Sequence, residues 1–293
     1  MTKDIAHRFM LENTDTRGEW VHLDNSWREV LLRADYPEPV RQVLGEALAA
    51  VVLLSATVKH QGSLVLQIRG DGPIHLLVVQ ATPEGDIRGL ARWQRLPESH
   101  SLQALFGTQA RMVITLEATT VEHERYQGII ALEGERLSDA LEQYFLRSEQ
   151  LPTRMYLCSS AEGCAGMLLQ RLPTRKPEQH ADDWERVGML LDTLTADELL
   201  ETTPETLIYR LFHEETPRLF AARPLRFHCS CSLEKIEATI QSLGQAEAES
   251  ILAEQGRIEV NCEFCNSRYL LDKVDVARLF AGIQAGPANR TLH

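Results

Sequence analysis

The sequence predicts an α+β fold: an N-terminal mixed sheet-and-helix domain, a helical linker and a small C-terminal zinc-binding domain. Three observations predict it. Short runs rich in Val, Ile and Leu alternate with Gly- and Pro-containing turns through the first half of the chain. Two helical patterns interrupt those runs without the regular strand–helix alternation of a doubly wound sheet. Four of the six cysteines fall in two close pairs near the end.

Residues 8–12, 20–23, 64–69, 74–80, 88–93, 111–117 and 126–132 read as strands, punctuated by Gly18, Gly62, Gly70-Asp71-Gly72-Pro73 and Pro83-Glu84-Gly85. The Gly-Asp-Gly-Pro run between two alternating segments is a hairpin signal. Pro37 and Pro39 open a helix over residues 40–59 that is nearly apolar all round, a pattern that requires burial against a sheet. A second helix over 137–149 has Ser138 and Asp139 as cap candidates, with Leu141, Tyr144 and Phe145 on one side. Cys158 and Cys164, separated by a turn that includes Ala161, Glu162 and Gly163, read as small packing residues at a strand–turn–strand tip. Farther on, Trp184, Val187, Leu190, Leu191 and Leu194 recur at helical spacing, as do Leu207, Ile208, Leu211 and Phe212, with acids opposite. The tail reads as helices over 233–243 and 246–255 joined at Gly244, then a strand over 257–260.

Charge divides the chain in the same places. The net charge is −12, from 42 acids and 30 bases. Residues 1–178 hold 23 acids against 19 bases, residues 179–226 hold 10 against 5, and residues 227–293 hold 9 against 6. The middle stretch is the most acidic per residue, which marks it as a linker whose self-repulsion works against tight packing. Three parts follow: 1–178, 179–226 and 227–293.

Several function classes are excluded or disfavoured. No uninterrupted apolar run approaches the ~18 residues of a membrane span. The N-terminal MTKDIAHRF lacks the apolar core of a secretion signal, so a cytoplasmic location is expected, where clustered cysteines serve metal or redox chemistry. None of the five lysines follows a glycine, so no phosphate-binding ATPase loop is readable. His213-Glu214-Glu215 lacks the second histidine of a metalloprotease helix, and no serine sits in a nucleophile elbow. An enzyme is not expected. The acidic balance argues against nucleic acid as a partner.

Cys229-Ser-Cys231, thirty residues, then Cys262-Glu-Phe-Cys265 is the strongest signal. Two closely spaced thiolate pairs are what a tetrahedral Zn2+ requires, and four cysteines close the sphere, so a structural site is favoured over a catalytic one. His228 adjoins Cys229 but has no partner at finger spacing and reads as a neighbour, not a ligand. A zinc-ribbon regulatory or nucleic-acid-binding protein is the alternative, though such modules carry clustered bases and this tail is acidic. A thiol oxidoreductase would need a βαβ context that the tail lacks. A tail of some 65 residues builds little core, so the metal supplies much of its folding energy. Metal-bound sulfur is held as thiolate, the form oxidants attack, and either pair can close a short-loop disulfide that would expel the metal. Oxidation then becomes an unfolding signal.

An ordered series of short motifs resembles one family across the whole chain. It comprises Arg17-Gly18-Glu19, Tyr36-Pro37, Leu44-Gly45-Glu46, Gly70-Asp71-Gly72-Pro73, Tyr144-Phe145, Ser148-Glu149-Gln150 and Leu172-Pro173. It ends in Phe227-His228-Cys229-Ser230-Cys231-Ser232 and Cys262-Glu263-Phe264-Cys265-Asn266, with Tyr269 following. The family it resembles is that of the redox-regulated 33 kDa heat-shock chaperones. The resemblance implies an ATP-independent holdase of the cytosol that binds unfolding client proteins under oxidative stress. It implies an inactive, reduced monomer with one zinc on Cys229, Cys231, Cys262 and Cys265. It further implies that oxidation joins Cys262 to Cys265 and Cys229 to Cys231, releases zinc, unfolds the linker and yields an active homodimer. One local departure is Cys164-Ala165-Gly166, where the family often has a glycine pair.

Overall fold

The structure is a computed structural model that describes residues 4–58, 60–117, 126–173 and 181–281. By internal packing the chain divides into two compact units, Met1–His228 and Cys229–His293.

The first unit opens with an antiparallel hairpin, β1 (Ile5–Leu11) and β2 (Thr16–Leu23), then α1 (Asn25–Leu31) and the long α2 (Glu38–Thr57). A meander follows: β3 (Ser63–Arg69), β4 (Ile74–Ala81) and β5 (Asp86–Trp93). After α3 (Leu102–Phe106) come β6 (Arg111–Glu117) and β7 (Tyr126–Ala131). Next are α4 (Leu137–Tyr144), which runs into a π-helical turn Phe145–Glu149, and the hairpin β8 (Thr153–Ser159) and β9 (Cys164–Arg171). Three helices, α5 (Ala181–Asp192), α6 (Ala196–Glu201) and α7 (Pro204–Phe212), precede three very short strands, β10 (Pro217–Leu219), β11 (Arg223–Pro224) and β12 (Arg226–Phe227).

These strands form two six-stranded sheets. The first runs β10-β1-β2-β9-β8, with β11 also on β1; the second runs β12-β5-β4-β3-β6-β7. The expected α+β class holds, and α2 explains the architecture. Thirteen of its twenty residues are buried, and it packs on β2, β8 and β9 of one sheet and β3, β4 and β5 of the other. By length and composition it could cross a membrane, but here its apolar surface is covered by protein on both sides. Pro37 stands at its N-cap and Pro39 in its first turn, where a missing N–H costs nothing. The expected last residue of this helix, Lys59, lies outside the described residues.

The expected hairpin at Gly70–Pro73 joins β3 to β4. Glycine is required there because the Phe106 carbonyl approaches so closely that a Cβ on Gly70 would lie 2.0 Å from its oxygen; the Gly72 N–H donates to the same oxygen at 2.8 Å. Ser138 and Asp139 were expected as caps of α4, but Arg136 holds the N-cap position. Asp139 sits at the third helical position, and its Oδ2 accepts the N–H of Arg136 at 3.0 Å. The helical pattern over 137–149 also changes pitch at Phe145, where the π turn begins.

Of the acidic stretch 179–226, residues 179 and 180 lie outside the described residues; the rest packs within the first unit. Val187, Leu191, Leu194, Leu199, Leu207, Ile208 and Phe212 bury themselves against Phe9, Leu11, Trp20, Met167 and Leu169 on the outer face of the first sheet. The strand residues between those positions face α2 instead, as the period-2 alternation requires. Backbone bonds then tie the end of the stretch down: β10 and β11 add to β1, and β12 pairs in parallel with β5.

The second unit holds α8 (Leu233–Leu243), α9 (Gln245–Gln255), the hairpin β13 (Ile258–Asn261) and β14 (Arg268–Leu271), and α10 (Lys273–Ala281). Gly244 joins the two first helices at φ 91°, a conformation that favours glycine. Its buried apolar core is small: Ile240, Ala248, Leu252, Ile258, Leu271, Val276 and Phe280.

Burial pushes the Glu46 carboxyl on α2 up to about 7, against the pull of the Gln42 amide and Arg136. Folding therefore favours the neutral acid. That contribution is complete below the ordinary value of 4.5 and is lost as pH rises through about 7. The stability loss across that window is about 3 kcal/mol at most. Urea unfolding of wild type and Glu46→Gln should diverge between those limits, the variant becoming relatively more stable as pH rises. Parallel curves would show that the buried carboxyl is not the cause.

Candidate metal centre

The two cysteine pairs are delivered by different local structures. Cys229 and Cys231 lie just ahead of α8, whose N-cap is Ser232; its hydroxyl oxygen accepts the Lys235 N–H at 3.4 Å. The Lys235 ammonium donates to the Ser230 carbonyl at 2.6 Å and so holds the Cys-Ser-Cys turn against the helix start. Cys262 and Cys265 occupy the tight turn between β13 and β14. That turn closes through the Cys262 N–H to Ser267 O at 2.9 Å and the Asn266 N–H to Cys262 O at 2.8 Å. Asn266 takes φ 60°, a left-handed conformation that asparagine tolerates better than most residues.

The fold brings the four sulfurs together, all within 4.8 Å of one another. Across the pairs, Cys229 Sγ lies 3.6 Å from Cys262 Sγ and Cys231 Sγ lies 3.3 Å from Cys265 Sγ. A tetrahedral ion with bonds of about 2.3 Å to sulfur sets neighbouring sulfurs about 3.8 Å apart. The cluster therefore fits one such metal ion. The group of four holds cysteines alone, and the backbone N–H of neighbouring His228 donates to Ile87 O.

The surroundings of the sulfurs are unequal. Burial pushes Cys262 up to about 12, opposed by the N–H groups of Cys265 and Phe264. Burial acts in the same direction on Cys265, but the hydroxyl and N–H of Ser267 and the neighbouring thiols outweigh it and bring Cys265 down to about 6. Burial also raises Cys231, although the Tyr269 hydroxyl donates to its sulfur at 3.1 Å and favours the thiolate. Ser267 and Tyr269 were missed as site residues in the sequence. Ser267 closes the turn that carries Cys262 and Cys265, and Tyr269 follows on β14, so their proximity in sequence to Cys265 was the available signal.

Cys158 and Cys164 are not brought to this cluster. Cys158 pairs with Ala165 and faces α6, whereas Cys164 pairs with Ser159 and faces α2, so the two point to opposite sides of one sheet. Burial, reinforced by Glu46, drives the Cys158 thiol up to about 12, and burial raises Cys164 still more strongly. Both are protonated packing residues.

Comparison with known proteins identifies the family. The family profile described as "Hsp33 protein" matches residues 4–272. This chain belongs to the Hsp33 family. Similar Hsp33 sequences include the 33 kDa chaperonin of Nitrosococcus oceani, 47% identical over 291 residues, and that of Pseudomonas aeruginosa, 47% identical over 297 residues. Each comparison covers 99% of both chains. Among solved structures, the 33 kDa chaperonin (heat shock protein 33 homolog) of Thermotoga maritima matches with a TM-score of 0.81 at 22% identity. That match covers 97% of this chain and 100% of the other, and it shows a shared fold.

Hydrogen bonds from outside the ligand set tune metal affinity by 10–100-fold in known sites. Tyr269→Phe should therefore keep one metal ion per chain but lose it to a competing chelator at about tenfold lower chelator concentration. Cys231→Ser and Cys265→Ser should each fall well below one ion per chain, measured by elemental analysis after dialysis. Full retention by either serine variant would remove that cysteine from the ligand set.

Proposed function

We propose that this chain is a redox-regulated, ATP-independent holdase that binds unfolding client proteins. The single observation that carries the reading is the closure of four sulfurs in a unit whose apolar core, among the described residues, is seven buried side chains. Cys229, Cys231, Cys262 and Cys265 would hold one Zn2+, which supplies cross-linking of the unit and no redox chemistry of its own. The reduced form is then folded, monomeric and inactive.

Oxidation by a peroxide consumes the two thiolates of a pair: one S–S bond forms, and the two electrons released, with two protons from solvent, reduce the peroxide to water. The pairing we propose is Cys262 with Cys265 and Cys229 with Cys231, the partners closest in sequence. The thiolate donors disappear with the disulfides, and the metal's hold on the unit goes with them. The stretch that precedes Cys229 is also the layer whose apolar face covers the outer side of the first sheet. Release of that layer exposes Phe9, Leu11 and Trp20 on one side and Leu207, Ile208 and Phe212 on the other. An exposed patch of this kind binds similar surfaces, on clients and on a second copy. A cytoplasmic location, a homodimeric active form and the absence of an enzymatic activity belong to the same proposal.

The test is suppression of aggregation of a heat-unfolding client without ATP, comparing reduced zinc-loaded protein with peroxide-oxidised protein. The oxidised form should suppress aggregation and sediment as a dimer. Equal activity in both states would sink the redox switch, and no activity in either would sink the holdase. Phe212 is fully buried and stacked on Phe9 with ring centroids 6.1 Å apart. Phe212→Ala should cost about 3–5 kcal/mol of local packing and lower the peroxide concentration needed for half-maximal activity.

A further inference from the structure

Arg17-Gly18-Glu19 is a motif that the metal centre and the covering helices leave unexplained. It lies on β2, where Phe9 of the neighbouring strand fixes its direction: a Cβ on Gly18 would lie 2.0 Å from the Phe9 ring, so the ring occupies that face. Arg17 and Glu19 point to the opposite face, toward the C-terminal end of α2. There Arg8 donates to Ala56 O at 2.7 Å and Arg17 donates to Thr57 O at 3.1 Å, satisfying carbonyls that the helix end leaves open. Arg17 is steadied further by Gln170, a fully buried amide whose oxygen accepts from its Nε at 3.1 Å and also from its Nη2. Gln170 in turn donates to Thr153 Oγ1 at 3.0 Å.

Arg17 has no carboxylate at ion-pair distance among the described residues. Glu19 is bound by Arg8 at 2.7 Å, and Arg8, Arg17 and Arg223 all lie close enough to act on its single charge. Among the described residues the Arg17 Nη1 group makes no hydrogen bond, since Nε and Nη2 carry the bonds to Gln170 and Thr57. Beside it opens a cavity of about 450 Å3 between the two sheets, with walls that include Leu54, Leu64, Ile114, Leu116 and Phe145. The π-helical turn Phe145–Glu149 forms one side, and such turns often mark binding sites. Glu149 also lines the cavity, with its Oε1 engaged by the Tyr144 hydroxyl at 2.7 Å.

We propose that this cavity is a binding site for a medium-chain fatty carboxylate, its acyl chain between the sheets and its headgroup on Arg17. The chemistry is that of an apolar pocket with one charged, pre-oriented donor group. The volume suits it: a cavity of about 150 Å3 admits benzene, so three times that volume takes about 18 heavy atoms, enough for a chain of about 10 to 14 carbons. The site is formed by residues of the first unit alone and does not depend on the state of the cysteines.

Calorimetric titration of the full-length reduced protein with decanoate, set beside 1-decanol, tests this. Decanoate should bind at one site per chain, about tenfold more tightly than the alcohol, the difference expected of one charge-assisted hydrogen-bonded contact. Arg17→Gln should erase that preference while leaving decanol binding in place. Leu116→Trp, which fills the cavity instead of weakening the helix end, should lose both ligands while its circular dichroism and unfolding temperature show it folded. Many weak sites per chain, equal binding of acid and alcohol by wild type, or unchanged decanoate affinity in folded Leu116→Trp would each overturn the proposal.

Discussion

The first unit depends on the burial of one helix on both sides. A helix that is apolar all round has no surface to give to water, so α2 must be enclosed, and two sheets enclose it. The end of the helix creates a second requirement, because its last carbonyls have no partner within the helix. Arg8 and Arg17, reaching over from the first sheet, meet that requirement and set positive charge against the negative end of the helix dipole. The cost is desolvation of charged groups: burial lowers Arg17 and raises Glu19, and the network around Glu19 offsets it. Sheet order, strand faces and the position of the cavity all follow from how α2 is covered and how its end is capped.

The second unit is held by a different kind of force. Among its described residues the apolar core of seven side chains is a small fraction of what surrounds α2, and its four sulfurs sit where a metal would join the stretch ahead of α8 to the β13–β14 turn. A unit held by dispersed apolar contacts loses stability gradually as contacts are removed. One held largely by a single tetrahedral cross-link loses it in one chemical event. The covering helices lie between these extremes. Their inner face is well packed on the first sheet, while the stretch that holds them carries the densest acid in the chain.

How much of this was legible in the sequence depended on whether a signal was local. The α2 helix was legible because its apolar pattern and flanking prolines are contiguous. So was the Gly70–Pro73 hairpin, and so were the cysteine pairs, whose spacing is itself the ligand geometry. The short strands β10, β11 and β12 were not, because two or three residues carry no periodicity and pair only through backbone groups. The cap of α1 was hidden for a related reason. Asp4 accepts from the N–H groups of Asp24 and Ser26 at 2.6 and 2.8 Å, a partner twenty residues away where sequence rules look three. Arg17 belongs to a legible motif, but its partners, the end of α2, Gln170 and a cavity, come together only in three dimensions.

The six cysteines show the same dependence on surroundings at the level of one atom. In Cys158 and Cys164 the sulfur faces packed side chains, so ionisation would bury an unsatisfied charge, and the proton stays. In the cluster, N–H groups of Phe264, Cys265 and Ser267 and the hydroxyls of Ser267 and Tyr269 are directed at sulfur, so charge that arrives there is already solvated by the protein. Thiolate is both the metal ligand and the nucleophile toward an oxidant. Those donors are unevenly shared, so Cys265 comes down to about 6 while burial still holds Cys262 and Cys231 up.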